Sequence, residues 1–135
     1  MNPLVMVFYD MLSPEKANVL RTISSPRLTH SNVGVQTIEA KKPSVFRVSK
    51  RTWLNYDTHK FMKNMLRDVG DVTGLNMQTS EELQVANYGM GGHYAPHWDW
   101  DFAPDKQTAP WGNRISTAIY YVSSKWSLGF VSLVF

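Results

Sequence analysis

Apolar positions recur at helical spacing most clearly between residues 57 and 74, where Phe61, Met62, Met65, Leu66, Val69 and Val72 fall on one stripe. Asp57 or Thr58 is placed to cap this helix, and Gly74 sits where a glycine ends one. The stripe is core packing against a sheet, not a cofactor box. An earlier helix is predicted from Ser13-Pro14-Glu15: the serine caps, the proline suits the first turn and the glutamate suits the positive end of the dipole. It should end near Ser24, before Pro26. Elsewhere the pattern is that of strands. Leu4 to Tyr9 is a short apolar run that suits a buried strand, and residues 27–39 and 44–49 are rich in alternating β-branched positions (Val33, Val35, Thr37; Val45, Arg47, Ser49). Further strands are predicted at 82–88, 95–100 and 114–122, separated by the turn Gly89-Met-Gly-Gly92 and a polar loop at 101–113. Helices come early and strands late, so the class is α+β with a mainly antiparallel β half.

Composition narrows the picture. The chain has 135 residues, about one domain's worth, with 43% hydrophobic and 19% charged residues, which is a globular and not a disordered balance. It has no cysteine, which excludes a disulfide framework and any thiolate metal site. The N-terminal Met1-Asn-Pro-Leu-Val-Met-Val-Phe-Tyr9 lacks a basic lead-in and is soon interrupted by Asp10, so it reads as a strand and not as a signal peptide. No apolar run approaches the ~20 residues of a membrane-spanning helix. Net charge is +3 but unevenly spread: residues 1–67 hold 11 Lys/Arg against 4 Asp/Glu, and residues 68–135 hold 3 against 7. The densest basic stretch is Lys41, Lys42, Arg47, Lys50 and Arg51. No nucleic-acid motif accompanies it, so it reads as solvated charge on the outer face of a strand and its turns.

The candidate chemistry centres on His97-Trp98-Asp99. On a strand, residues i and i+2 project from one face, so an imidazole nitrogen and a carboxylate oxygen would point the same way. That is the near half of a two-His-one-carboxylate site, the arrangement that leaves open positions on Fe(II). The tripeptide alone is a weak signal, since about 0.2 His-x-Asp triplets are expected by chance in a chain of this composition. The competing reading is a surface histidine beside an acidic cluster of Asp99, Asp101 and Asp105.

The surrounding run is far more specific. Glu82-Leu-Gln-Val-Ala-Asn-Tyr88-Gly-Met-Gly-Gly-His-Tyr94-Ala-Pro96-His97-Trp-Asp99 resembles the catalytic domain of collagen prolyl 4-hydroxylase α subunits, in which a Leu-Gln-Val-x-x-Tyr strand leads through a glycine-rich turn into Tyr-x-Pro-His-x-Asp. Thr73-Gly-Leu-Asn, Ser80-Glu-Glu-Leu-Gln, Gly112-Asn-Arg-Ile-Ser-Thr-Ala-Ile-Tyr-Tyr121, Arg27-Leu and Phe46-Arg-Val-Ser-Lys-x-x-Trp53 extend the likeness to about residues 3–123. The resemblance implies a partial double-stranded β-helix (jelly roll) with two supporting N-terminal helices. It implies His97 and Asp99 as iron ligands, Tyr88 as a hydrogen-bond partner of 2-oxoglutarate, and Tyr94 and Arg114 near the peptide substrate. For both tyrosines the alternative reading is core aromatic packing. His93 is not expected to be a ligand, and His30 and His59 read as surface residues.

What the resemblance implies functionally is Fe(II)- and 2-oxoglutarate-dependent hydroxylation of peptidyl proline in collagen-like chains. Ascorbate would keep the iron reduced, and protein disulfide isomerase would be the β subunit in the endoplasmic reticulum lumen. The chain departs from the family's pattern downstream, where a second histidine ligand and a lysine pairing with 2-oxoglutarate are expected. No histidine follows His97, and neither Lys106 nor Lys125 occupies the needed position. Residues 1–123 therefore read as the N-terminal part of the catalytic domain and 124–135 as a divergent tail. Ser124-Lys-Trp is encodable as AGT-AAG-TGG, which contains an intron start, so retained-intron sequence is one reading of the tail. A divergent final strand built on Phe130, Val131, Leu133, Val134 and Phe135 is the other. The rival function is a catalytically inactive fragment that acts only by binding a partner.

Overall fold

The computed structural model describes residues 4–31, 47–100, 112–123 and, for the backbone, 128–134. Two helices, α1 (Pro14–Ser24) and α2 (Lys60–Thr73), accompany seven strands: β1 (Thr29–His30), β2 (Arg47–Val48), β3 (Lys50–Leu54), β4 (Leu83–Tyr88), β5 (His93–Tyr94), β6 (Thr117–Tyr121) and β7 (Leu128–Val134). Five strands form one sheet in the order β1-β3-β4-β7-β6, and β2 and β5 form a separate two-stranded ladder. Every pairing is antiparallel. The mixed helix-and-sheet class with an antiparallel β half is thus as the sequence pattern predicts.

Local chemistry explains the helices. Ser13 accepts from Lys16 N at 3.4 Å, with Pro14 in the first turn and Glu15 beside it. The Glu15 carboxyl is held below its ordinary pKa by the hydrogen bonds at this helix start, its own backbone first and then Ser13. Helix α2 ends at Gly74 with φ 71°, the left-handed conformation that a side chain disfavours, and the Gly74 N–H closes on Gly70 O at 2.8 Å. Its N-cap is neither Asp57 nor Thr58. Those residues lie in a 3-10 turn (Tyr56–Thr58) capped by Asn55, and His59 caps α2 through Nδ1, which accepts from Phe61 N. The His59 ring also lies 4.6 Å from that of Phe61, so one side chain both caps and covers the first turn.

The core is a single cluster between the helices and one face of the sheet. Leu20 of α1 and Phe61, Met62, Met65 and Val69 of α2 pack with Leu54 of β3, Leu83 and Val85 of β4, Tyr120 of β6, and Val122 just beyond β6. Val72 falls off the stripe and is 40% exposed. Strand β4 is buried on both faces: Leu83 and Val85 point to the helices, while Gln84, Ala86 and Tyr88 share the opposite face. Register places Trp53 opposite Gln84 and Arg51 opposite Ala86, which extends that second face across β3. On β6, Ala118 and Tyr120 turn to the core, leaving Thr117, Ile119 and Tyr121 on the second face.

Several expected strands differ. Leu4–Tyr9 forms no strand, and five of its six side chains are more than half exposed. Among the described residues no strand pairs with it, so the apolar run has no face to bury against. Residues 95–100 are bends and irregular chain, because Pro96 donates no hydrogen bond to a ladder and β5 stops at Tyr94. Of 27–39 and 44–49, only Thr29–His30 and Arg47–Val48 are strands among the described residues, and 32–46 lie outside them. Strand β3, unforeseen, takes up Lys50 and Arg51 of the basic stretch. In the tail, β7 lies between β4 and β6 and pairs with both, Gln84 opposite Ser132 and Thr117 opposite Val134. The loop at 101–111 is outside the described residues. No helix among the described residues is long and apolar enough to cross a membrane.

Leu83 is 0% exposed, so Leu83→Ala should lower unfolding free energy by about 2–5 kcal/mol through lost transfer energy and a residual cavity. Val72→Ala should cost no more than about 0.5 kcal/mol. Urea midpoints measured on both variants check the contrast. Burial, with a smaller push from Asp68 and then Tyr56, raises the Tyr120 phenol to about 12. A raised folded pKa stabilises fully below the unfolded value of about 10, and that contribution is lost as pH climbs towards 12. Tyr120→Phe should therefore remove roughly 2–3 kcal/mol of alkaline stability loss in a pH series of melts.

Candidate metal centre

The approach to His97 is set by backbone. The turn after β4 closes through Gly92 N–H donating to Gly89 O at 2.8 Å, with Gly91 at φ 74°. A Cβ on Gly92 would meet Gly89 O and Val48 O at 2.9 Å, so only glycine lets the turn lie against β2. That close approach fixes the ladder register, Arg47 opposite Tyr94 and Val48 opposite His93. The His93 Nδ1 lies 3.3 Å from the turn carbonyl of Gly91.

The chain then bends through Pro96, and the two predicted ligands converge without strand geometry. His97 Nε2 lies 3.2 Å from Asp99 Oδ1. His97 Nδ1 lies 2.8 Å from Ala95 O, and because a carbonyl only accepts, the hydrogen sits on Nδ1. Nε2 is thereby the nitrogen turned towards the carboxylate, and it is the one a metal would take. The other oxygen of Asp99, Oδ2, accepts from the Thr117 hydroxyl at 2.7 Å. Both side chains are thus oriented from behind, as metal-binding imidazoles and carboxylates generally are. Two cis ligands each about 2.1 Å from a divalent ion lie roughly 3.0 Å apart, so the observed separation suits one metal between them. Side-chain exposures of 28% and 40% leave the pair open to an entering ion. Among the described residues, no group of three His, Asp or Glu side chains converges on a common point.

Around the pair the structure adds contacts that the sequence did not mark. The Tyr94 ring stacks on His97 with centroids 3.7 Å apart and planes 24° from parallel. The Arg47 guanidinium lies 4.4 Å from the same Tyr94 centroid. Arg47 is buried, not solvated as the basic stretch suggested: Nη2 donates to Gln84 Oε1 at 2.8 Å and Nε to Ser49 Oγ at 3.2 Å, and Ser49 meets Ser31 at 2.7 Å. Burial, followed by the charge of Arg47, lowers the affinity of Arg51 for its proton. Arg114 makes a bidentate pair with Glu81, Nε to Oε1 and Nη2 to Oε2, which raises its pKa, with Asp99 and Tyr94 adding to the effect. Tyr88 is buried at the end of β4, on the face that Gln84 shares. Tyr94 therefore stands against His97, Arg114 feels the charge of Asp99, and Tyr88 is buried in the sheet. Lys41, Lys42, Asp101, Asp105, Lys106 and Lys125 lie outside the described residues.

Three relatives carry the comparison. The chain is 37% identical over 125 residues to prolyl 4-hydroxylase subunit alpha-2 of Caenorhabditis elegans, 35% over 128 to subunit alpha-2 of Gallus gallus, and 34% over 126 to subunit alpha-1 of Homo sapiens. Each match takes in 90% of this chain and 23% of the relative. No protein-family profile matches. The chain is thus related, along nearly its whole length, to prolyl 4-hydroxylase α subunits, and it spans about a quarter of their length. The family resemblance read from residues 3–123 is the one the comparisons return.

The Thr117 hydroxyl aims the Asp99 carboxylate, so Thr117→Val should weaken Co(II) binding about 10-fold, and Thr117→Ser should keep it near the unsubstituted value. Calorimetric titration of the three chains measures the difference.

Proposed function

We propose that this chain carries part of the catalytic centre of a prolyl 4-hydroxylase, with His97 and Asp99 as two protein ligands of Fe(II). The observation that carries this reading is the His97–Asp99 pair at 3.2 Å, each member oriented by a second hydrogen bond, inside a stretch similar to prolyl 4-hydroxylase α subunits. The iron with 2-oxoglutarate would supply the oxidising chemistry for hydroxylating peptidyl proline in a collagen-like chain, with ascorbate as reductant. The residues' own part is to hold: His97 offers a lone pair fixed by Ala95 O, and Asp99 offers one oxygen while Thr117 holds the other. Tyr88 is assigned to the 2-oxoglutarate side, and Tyr94 and Arg114 to the peptide side. In this reading, residues 1–123 are the N-terminal part of a jelly-roll catalytic domain and 124–135 a divergent tail. Protein disulfide isomerase is the partner subunit, in the endoplasmic reticulum lumen.

A second reading is favoured by one observation: no histidine follows His97 in the 135 residues. Two protein ligands hold Fe(II) less tightly than three, so the chain by itself could bind metal without turning over and act only through a partner. One experiment separates the readings. The purified chain, His97→Ala and Asp99→Ala are titrated with Fe(II) without oxygen, then assayed for 2-oxoglutarate decarboxylation with ascorbate. We expect binding that weakens at least about 10-fold in either variant. Turnover that depends on His97 assigns the activity to this chain, whereas binding without turnover assigns it the second reading. Metal binding indifferent to both substitutions removes the centre altogether.

A further inference from the structure

His97 stands on irregular chain, three residues beyond the end of β5, and its ring is partly open to solvent. The hydrogen bond to Ala95 O and the approach of Nε2 to Asp99 set where the two ring nitrogens point, and both act in the plane of the ring. The plane is fixed from the side. Tyr94 lies against the imidazole at 3.7 Å, and the Arg47 guanidinium lies 4.4 Å from the Tyr94 centroid. Two flat groups this close cannot share one face of a six-membered ring, so Tyr94 is sandwiched between guanidinium and imidazole.

The outer member of the sandwich is the anchored one. Arg47 is 7% exposed and tied to Gln84 on β4 and to Ser49, which in turn meets Ser31. Among the described residues it has no carboxylate partner, so a buried cation is held by neutral acceptors and by an aromatic face. A guanidinium can donate in its plane and stack across it at once, which an ammonium cannot. Asp99 takes its orientation separately, from Thr117. The two ligands are therefore aimed by different strands, Asp99 by β6 and His97 by β2.

We propose that Arg47 is a positioning residue for the metal ligand His97, acting through the Tyr94 ring. This deepens the metal-centre reading and rests on it. It gives Tyr94 a part played by its ring, in addition to any contact of its hydroxyl with a peptide. The ring alone should then suffice for metal binding.

Co(II) serves as the probe, read by calorimetry and by its visible absorption bands, which report ligand geometry. Tyr94→Phe keeps the ring and should bind Co(II) within about twofold of the unsubstituted chain. Tyr94→Leu and Arg47→Lys should bind about 10- to 100-fold more weakly, with altered bands, while melting near the unsubstituted temperature. Tyr94 is half-buried and outside the core cluster, so Tyr94→Leu decides the matter even if an Arg47 variant unfolds. Unchanged affinity and bands in folded Tyr94→Leu, or in folded Arg47→Lys, overturn the proposal while leaving the centre in place. Failure of the unsubstituted chain to bind Co(II) through His97 overturns the metal-centre reading together with it.

Discussion

Strand β4 is buried on both faces, and most of the molecule follows from how it divides them. Leu83 and Val85 close the core under α2, while Gln84, Ala86 and Tyr88 face the opposite way. Because side chains alternate strictly along a strand, a slip of one residue would turn Gln84 into the helix layer and leave Leu83 against Arg47. The register is pinned by five pairs to β3 and five to β7. The same division runs through β6, where Tyr120 reaches Met65 O of α2 and Thr117 reaches Asp99 on the other side. One face is thus a structural core, and the other is a platform behind the His97–Asp99 pair.

What the sequence reveals and what it hides divides along the range of the interactions. The α2 stripe, the Ser13 cap, the Gly74 stop and the apolar segments of β4 and β6 are local patterns, and the structure follows them. His59 as a cap is local too, but imidazole is a rare capping acceptor and the aspartate and threonine before it were the stronger candidates. Leu4–Tyr9 has strand composition, yet a strand needs a partner, and hydropathy says nothing about whether one is present. Lys50 and Arg51 read as solvated charge on the outer face of a strand and its turns; Lys50 is exposed on β3, Arg51 is partly buried there, and the strand's apolar end at Leu54 enters the core.

The centre shows the same split more sharply. His-x-Asp is a three-residue pattern, readable once its neighbours are compared, although the strand argument for it was the wrong route. Pro96 breaks the ladder, and a bend brings Nε2 and Oδ1 together. Thr117 stands 18 residues from Asp99 and Arg47 stands 47 before Tyr94, distances at which a sequence pattern carries no contact. The local hints at Arg47 were its place in the family-like stretch Phe46 to Trp53 and in an alternating run with Val45 and Ser49, which suits a strand with one buried face as well as an exposed one.

Charge around the centre is arranged with an asymmetry that follows from these contacts. Arg114 is held in a bidentate pair with Glu81, and the nearby charge of Asp99 adds to that pair in keeping the guanidinium protonated. Arg47 has only neutral hydrogen-bond partners among the described residues, and its charge is felt by Arg51, whose proton it helps to loosen. A flat cation on the far side of Tyr94 draws on the ring's electron density and firms the stack without occupying the place of a metal. His97 and Asp99 thus each have a contact from behind, Tyr94 and Ala95 O for the imidazole and Thr117 for the carboxylate. Those contacts hold the two side chains together on a segment that has no regular secondary structure to do so.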